Sequence, residues 1–119
     1  MKKINLLLLI GLCLMLAGCK QETPKENHSE ITIGFAQAGI ESNWRKIQSK
    51  SIKEELEKQN YQVMSRNSFS DPKQQYQDVM TFIAYQVDLI ILSPIEEFGW
   101  EPVLEEAKKA NIPVIIVDR

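Results

Sequence analysis

From residue 31 onward the apolar positions switch between two periods, and the switching predicts seven elements. Ile31, Ile33 and Phe35 interleave with Thr32 and Gly34, the period-two pattern of a short strand near 31–36. Ser42 is a good N-cap for a helix over roughly 43–59. On that helix Trp44, Ile47, Ser51, Ile52 and Leu56 share one stripe, while Arg45, Lys46, Lys53, Glu54 and Glu57 face water. Asn60 suits a left-handed stop, and Tyr61 to Ser65 forms the second strand with Val63 inward. Asp71-Pro72 opens the next helix with an N-cap and an early proline, and Gln74 completes the spacing of a capping box. Its stripe is Tyr76, Val79, Met80, Ile83 and Ala84, up to about Tyr85. The run from Asp88 to Pro94, DLIILSP, has the continuous apolar character of a parallel strand buried on both faces. A third helix near 100–110 carries Pro102 at its start, Val103, Leu104 and Ala107 as its core stripe, and Lys108 and Lys109 in its last turn. Pro113 to Val117 is the fourth strand, and it runs into Asp118-Arg119.

The order β-α-β-α-β-α-β with short connections implies right-handed crossovers. The fold class is therefore α/β, a parallel sheet with helices on both faces. A strand order of 2-1-3-4 is expected, because it puts the switch point beside the first strand. Ligands of such sheets lie in the crevice at the carboxyl ends of the strands. The stretch ITIGFAQAGIESNWR, Ile31 to Arg45, ends at that crevice, and so does Asp118-Arg119.

The first thirty residues follow a different pattern. Lys2 and Lys3 precede an apolar run from Ile4 to Leu16, too short to span a bilayer comfortably and typical of a signal-peptide core. The run ends in Leu16-Ala17-Gly18-Cys19, which resembles the lipobox of bacterial lipoproteins. Residues 1–18 are then a lipoprotein signal peptide, and the Cys19 thiol takes a diacylglycerol after cleavage. The simpler alternative is a secretory signal with a coincidental cysteine. Cys13 leaves with the signal, so a disulfide framework is excluded. Residues 19–30 are polar, contain Pro24 and His28, and form a flexible tether. A lone histidine there is a solvated linker residue rather than a metal ligand. The expected location is extracytoplasmic, anchored by lipid to the cell membrane.

Composition narrows the function further. With 119 residues there is room for one small domain, residues 31–119, and 44% hydrophobic with 25% charged residues is ordinary globular usage. Without Lys2 and Lys3 the 14 basic residues become 12 against 16 acidic, a net charge of −4 and no footprint for nucleic acid. Gly34 to Gly39 does not make a GxGxxG fingerprint, and Ile40-Glu41-Ser42 stands where a phosphate-cradling loop would need its lysine. No GxSxG elbow or cysteine–histidine pair exists, so an enzyme reading has no nucleophile and no cofactor is expected.

The strand ends instead suit a polyhydroxylated ligand. Sugar hydroxyls both donate and accept, and a good site mixes acceptor carboxylates (Glu41, Asp118) with guanidinium forks (Arg45, Arg119). An aromatic plane from Trp44 or Phe35 would pack on the C–H face of the ring. Other roles stand beside these. Trp44 shares the Ile47 stripe and is equally a core residue, Arg45 an exposed helix residue, Asp118 a cap, and Gln37 a partner only of the loop backbone. Trp100 packs the third helix on the sheet.

The run IGFAQAGIESNWR and the stretch from Ser93 to Arg119, SPIEEFGWEPVLEEAKKANIPVIIVDR, resemble bacterial periplasmic sugar-binding proteins of the type I, ribose-binding-like family. The pattern is most similar to the galactofuranose-binding members that serve ABC transporters. The resemblance implies that Glu41, Ser42, Asn43, Trp44 and Arg45, with Gln37, belong to a first-strand ligand wall, and that Asp118 and Arg119 hydrogen-bond the sugar. Ile40 stands where a small residue is usual, and Asn43 replaces a glycine. The implied partners are a monosaccharide of the galactofuranose or galactose kind and an ABC transporter permease. A membrane sensor is the alternative recipient. Such proteins have two lobes, so the chain is expected to represent the N-terminal part of the first.

Overall fold

The computed structural model describes residues 30–117. The signal peptide, Cys19, most of the tether, Asp118 and Arg119 lie outside the described residues. Within them the elements are β1 (Thr32–Gln37), α1 (Asn43–Lys58), β2 (Gln62–Asn67), α2 (Pro72–Ala84), β3 (Leu89–Leu92), α3 (Glu101–Lys109) and β4 (Val114–Ile116). All three strand pairings are parallel, as the connections imply, and the spatial order is β2-β1-β3-β4, the order that puts a switch point beside β1. β2 runs two residues further than its apolar pattern, because Arg66 and Asn67 pair with Ala36 and Gln37.

Each face of the sheet has its own core. Ile33, Phe35 and Ile91 face α1, where Ile52 and Leu56 pack on them with Val63. Ala36, Ile90 and Leu92 face α2 and α3, under Val79, Phe82, Trp100 and Val103. Phe35 and Phe82 are fully buried, contributing roughly 1.5–3 kcal/mol each by area removed from water. Gly34 makes room for this packing: a Cβ there would lie 2.6 Å from Cγ of Phe82. β4 closes one side as an exposed edge, with Ile115 and Ile116 about half accessible.

Two expectations about the helices need correction. Trp44 and Ile47 of α1 are exposed, at 52% and 67%, and the helix has no fully buried residue. Its inward row is Gln48, Ser49, Ile52 and Leu56, with Arg45 and Lys53 half-buried instead of facing water. Relative to the expected stripe the helix is turned by about 100°, one residue. In α2 the fully buried residues are Gln75, Asp78, Val79 and Phe82, while Tyr76, Met80 and Ile83 flank them and Ala84 is exposed. That is again a turn of about one residue. The cause is the same in both cases: polar side chains occupy the inward row because groups at the strand ends need them as partners.

The helix ends follow local chemistry. Asp71 accepts from the N–H groups of Lys73 and Gln74, but Gln74 donates to Asp78 instead of returning to Asp71, so only half of the capping box forms. Asn60 and Asn111 take the left-handed conformation after α1 and α3. At the last turn of α3 the Glu106 carboxylate accepts from Lys109 at 2.8 Å, and that hydrogen bond, then its charge, holds the ammonium above its ordinary 10.5.

Candidate functional site

The carboxyl ends of β1, β2 and β3 carry three loops; hydrogen bonds tie the first two to each other, and Gln75 of α2 holds the third. After β1 the chain passes through Ala38 to Ile40 and enters α1 at Ser42, whose Oγ accepts from the Arg45 N–H at 3.2 Å. This cap fixes Glu41 and Arg45 one turn apart, and their side chains meet at 3.7 Å. Glu41 also accepts from Ser70 Oγ at 3.3 Å, in the loop after β2, and the Ser70 N–H donates to the Ala38 carbonyl at 2.7 Å. Gly39 lies directly beneath the Glu41 carboxylate, where any Cβ would overlap it. Phe69 and Ser70 hold this loop in the left-handed region, with Phe69 72% exposed at its tip and its N–H bonded to Asn67 Oδ1.

The expected ligand wall is thus assembled in part. Glu41, Ser42, Asn43 and Trp44 are exposed at the strand ends, and the Arg45 side chain is one-quarter accessible. Trp44 is not a core residue. Gln37 takes a different place: it is 1% exposed, and its amide donates to Gln48 Oε1 and Ser49 Oγ while accepting from the Ala38 N–H, each at 2.9 Å. It braces the loop from behind, between β1 and α1. Asp118 and Arg119 cannot be placed, being outside the described residues.

Beneath the loops lies a buried polar layer that the hydrophobic pattern did not announce. Gln75 is fully buried and spans the β3 loop, donating to the Ser93 carbonyl at 2.7 Å and accepting from the Ile95 N–H at 2.8 Å. Asp78, 3% exposed, accepts from Ser68 Oγ and Gln74 Nε2 and lies 3.9 Å from Arg66. These bonds satisfy a carboxylate that burial alone would penalise heavily. Asn67 Nδ2 and Ser93 Oγ are buried with no hydrogen-bond partner among the described residues. The available signal for Ser93 was position, a polar residue directly after the apolar run of β3; Asn67, behind Ser65 and Arg66, had none. Among the described residues no three His, Cys, Asp or Glu side chains gather as a metal site would require. The arrangement offers noncovalent recognition: an exposed indole, a carboxylate–guanidinium pair and a capped helix N-terminus on one surface.

The sequence profile of the periplasmic binding protein domain matches residues 33–119. The chain belongs to the periplasmic binding protein family. Over 89 residues it is 40% identical to the galactofuranose-binding protein YtfQ of Escherichia coli (strain K12), a match covering 75% of this chain and 28% of that protein. The arabinose ABC transporter's periplasmic component from Shewanella sp. ANA-3, solved with α- and β-L-arabinofuranose, is 44% identical with a TM-score of 0.72, over 74% of this chain and 29% of that one. A Mycobacterium smegmatis structure in complex with β-D-fucofuranose is 39% identical with a TM-score of 0.72, over 75% and 29%. The chain therefore spans under a third of the length of these relatives.

Proposed function

We propose that this periplasmic binding protein chain supplies the first wall of a monosaccharide site, for a sugar in its furanose form, and that the protein delivers that sugar to an ABC importer. The observation that carries the reading is the Glu41–Arg45 pair, fixed by the Ser42 cap beside exposed Trp44 at the sheet's carboxyl end. Acceptor, donor fork and aromatic plane are the three groups a sugar ring engages. The furanose preference rests on what the three relatives are named or solved with. Asp118 and Arg119, following β4, add hydrogen bonds to the hydroxyls from the neighbouring strand end. Capture is noncovalent and closure by a second lobe completes it, so no catalytic residue is involved.

A segment exchange tests this. The matched 89 residues of the Escherichia coli galactofuranose-binding protein are replaced by residues 31–119 of this chain, and furanose binding is measured by calorimetry. The exchanged protein is expected to bind. Arg45→Ala within it should weaken binding by about 2 kcal/mol, roughly thirty-fold, through loss of a charge-assisted hydrogen bond. A folded exchange protein with no furanose affinity, or one indifferent to Arg45→Ala, would refute the reading.

The anchor is part of the same proposal. Cys19 carries diacylglycerol and residues 20–30 act as the tether that lets the folded part stand off the membrane. Radiolabelled palmitate should enter the chain in cells and be lost in Cys19→Ala; label persisting in that variant would rule the anchor out.

A further inference from the structure

Apolar packing holds only one half of α1. Its C-terminal half rests on the sheet through Ile52 and Leu56, whereas the half that carries Asn43, Trp44 and Arg45 leaves Trp44 and Ile47 exposed. A helix end without buried apolar area should fray, since isolated helical turns are only marginally stable in water. Here polar bonds take over. The Gln37 amide reaches up from the end of β1 and donates to both Gln48 and Ser49, on adjacent positions of the inward row, at 2.9 Å each. The same amide accepts from the Ala38 N–H, so one side chain grips the sheet end, the loop and the helix together.

Register places Gln37 at the centre of a polar layer. Asn67 lies opposite Gln37 on β2, and Ser93 follows Leu92 on the other flank of β1. Asn67 Nδ2 and Ser93 Oγ are buried without a partner among the described residues, whereas the central Gln37 joins this layer to α1 through two bonds of normal length. Because Gln37 itself is buried, breaking the clamp would leave its amide donor unsatisfied.

From this geometry we propose that Gln37 is a positioning residue for the ligand wall: it acts through Gln48 and Ser49 to hold the N-terminal half of α1, and with it Trp44 and Arg45, in place. Its importance for sugar capture rests on the function proposed above, but the clamp itself does not.

Amide hydrogen exchange on the full chain in detergent separates positioning from ordinary core packing. Amides from residue 46 onward are the informative ones, because the first helical N–H groups lack intrahelical acceptors. In Gln37→Met, which keeps the volume and removes the bonds, exchange over residues 46–50 should rise at least tenfold while residues 53–58 and β1 change less than twofold. A uniform rise across α1 and the sheet would make Gln37 a general core residue, and no rise would make the clamp irrelevant; either overturns the proposal. Should Gln37→Met not fold, Ser49→Ala removes one arm from the half-buried side and must give a smaller rise in the same segment. No local rise there would overturn it as well. In the exchange protein, Gln37→Met should weaken furanose binding at least fivefold, and unchanged affinity would refute the positioning role. A parent exchange protein that binds no furanose would sink the functional reading while the exchange data still decide the clamp.

Discussion

Ser93 and Gln75 meet at the end of β3 and illustrate how differently two buried polar side chains act. Gln75 satisfies two backbone groups, the buried Ser93 carbonyl and the half-buried Ile95 N–H. The Ser93 hydroxyl, 0% exposed, satisfies nothing among the described residues. Removing the first strands two partners, and an unmade buried hydrogen bond carries a penalty of roughly 1–3 kcal/mol. Removing the second takes away a penalty of that kind. Gln75→Leu is therefore expected to lower unfolding stability by about 3 kcal/mol, and Ser93→Ala to leave it unchanged or raise it by about 1 kcal/mol. Denaturant midpoints of the two variants measure both. A loss above about 1 kcal/mol in Ser93→Ala would show that the hydroxyl has an ordered partner after all.

At the scale of elements, the strands were legible and the helix faces were not. Four apolar runs and their punctuation by Ser42, Asn60 and Asp71-Pro72 were enough to place all seven elements in order. Strand order followed from the expectation of a switch point beside β1, and the parallel pairing from connection length and handedness. Helix rotation failed because the apolar stripe was treated as the only inward signal. Trp44 and Ile47 on α1, and Ala84 on α2, were counted inward on that basis, yet all three are exposed. The winning signal was satisfaction of buried polar groups: Gln37 draws Gln48 and Ser49 inward, and the β3 loop draws in Gln75. A sequence shows which side chains are polar but not which strand-end groups lack a partner, and that second fact fixes the rotation. The candidate site divides along the same line. The Ser42 cap and the Glu41–Arg45 spacing are local and readable, whereas the Ser70 contact to Glu41 and the brace formed by Gln37 depend on where β2 and α1 finally pack.

Across the whole molecule, the described surface gives a ligand one side only. Trp44, Glu41 and Asn43 stand exposed at the sheet's carboxyl end, and pockets that bind small molecules well enclose 70% or more of the ligand surface. One wall leaves most of a monosaccharide in water, so its hydroxyls exchange one hydrogen-bonding environment for a similar one with little net gain. The loss of rotational and translational freedom on binding is nevertheless charged in full. Residues 1–119 alone are therefore expected to bind galactofuranose, galactose or ribose more weakly than about 1 mM, a free energy smaller than about 4 kcal/mol. Titration followed by tryptophan fluorescence is suited to this, because Trp44 is exposed at the wall whereas Trp100 is buried in the core. The exchange protein carrying the same wall should respond at far lower concentration. Micromolar affinity in the isolated chain would mean that the Glu41–Arg45 wall works without an opposing lobe.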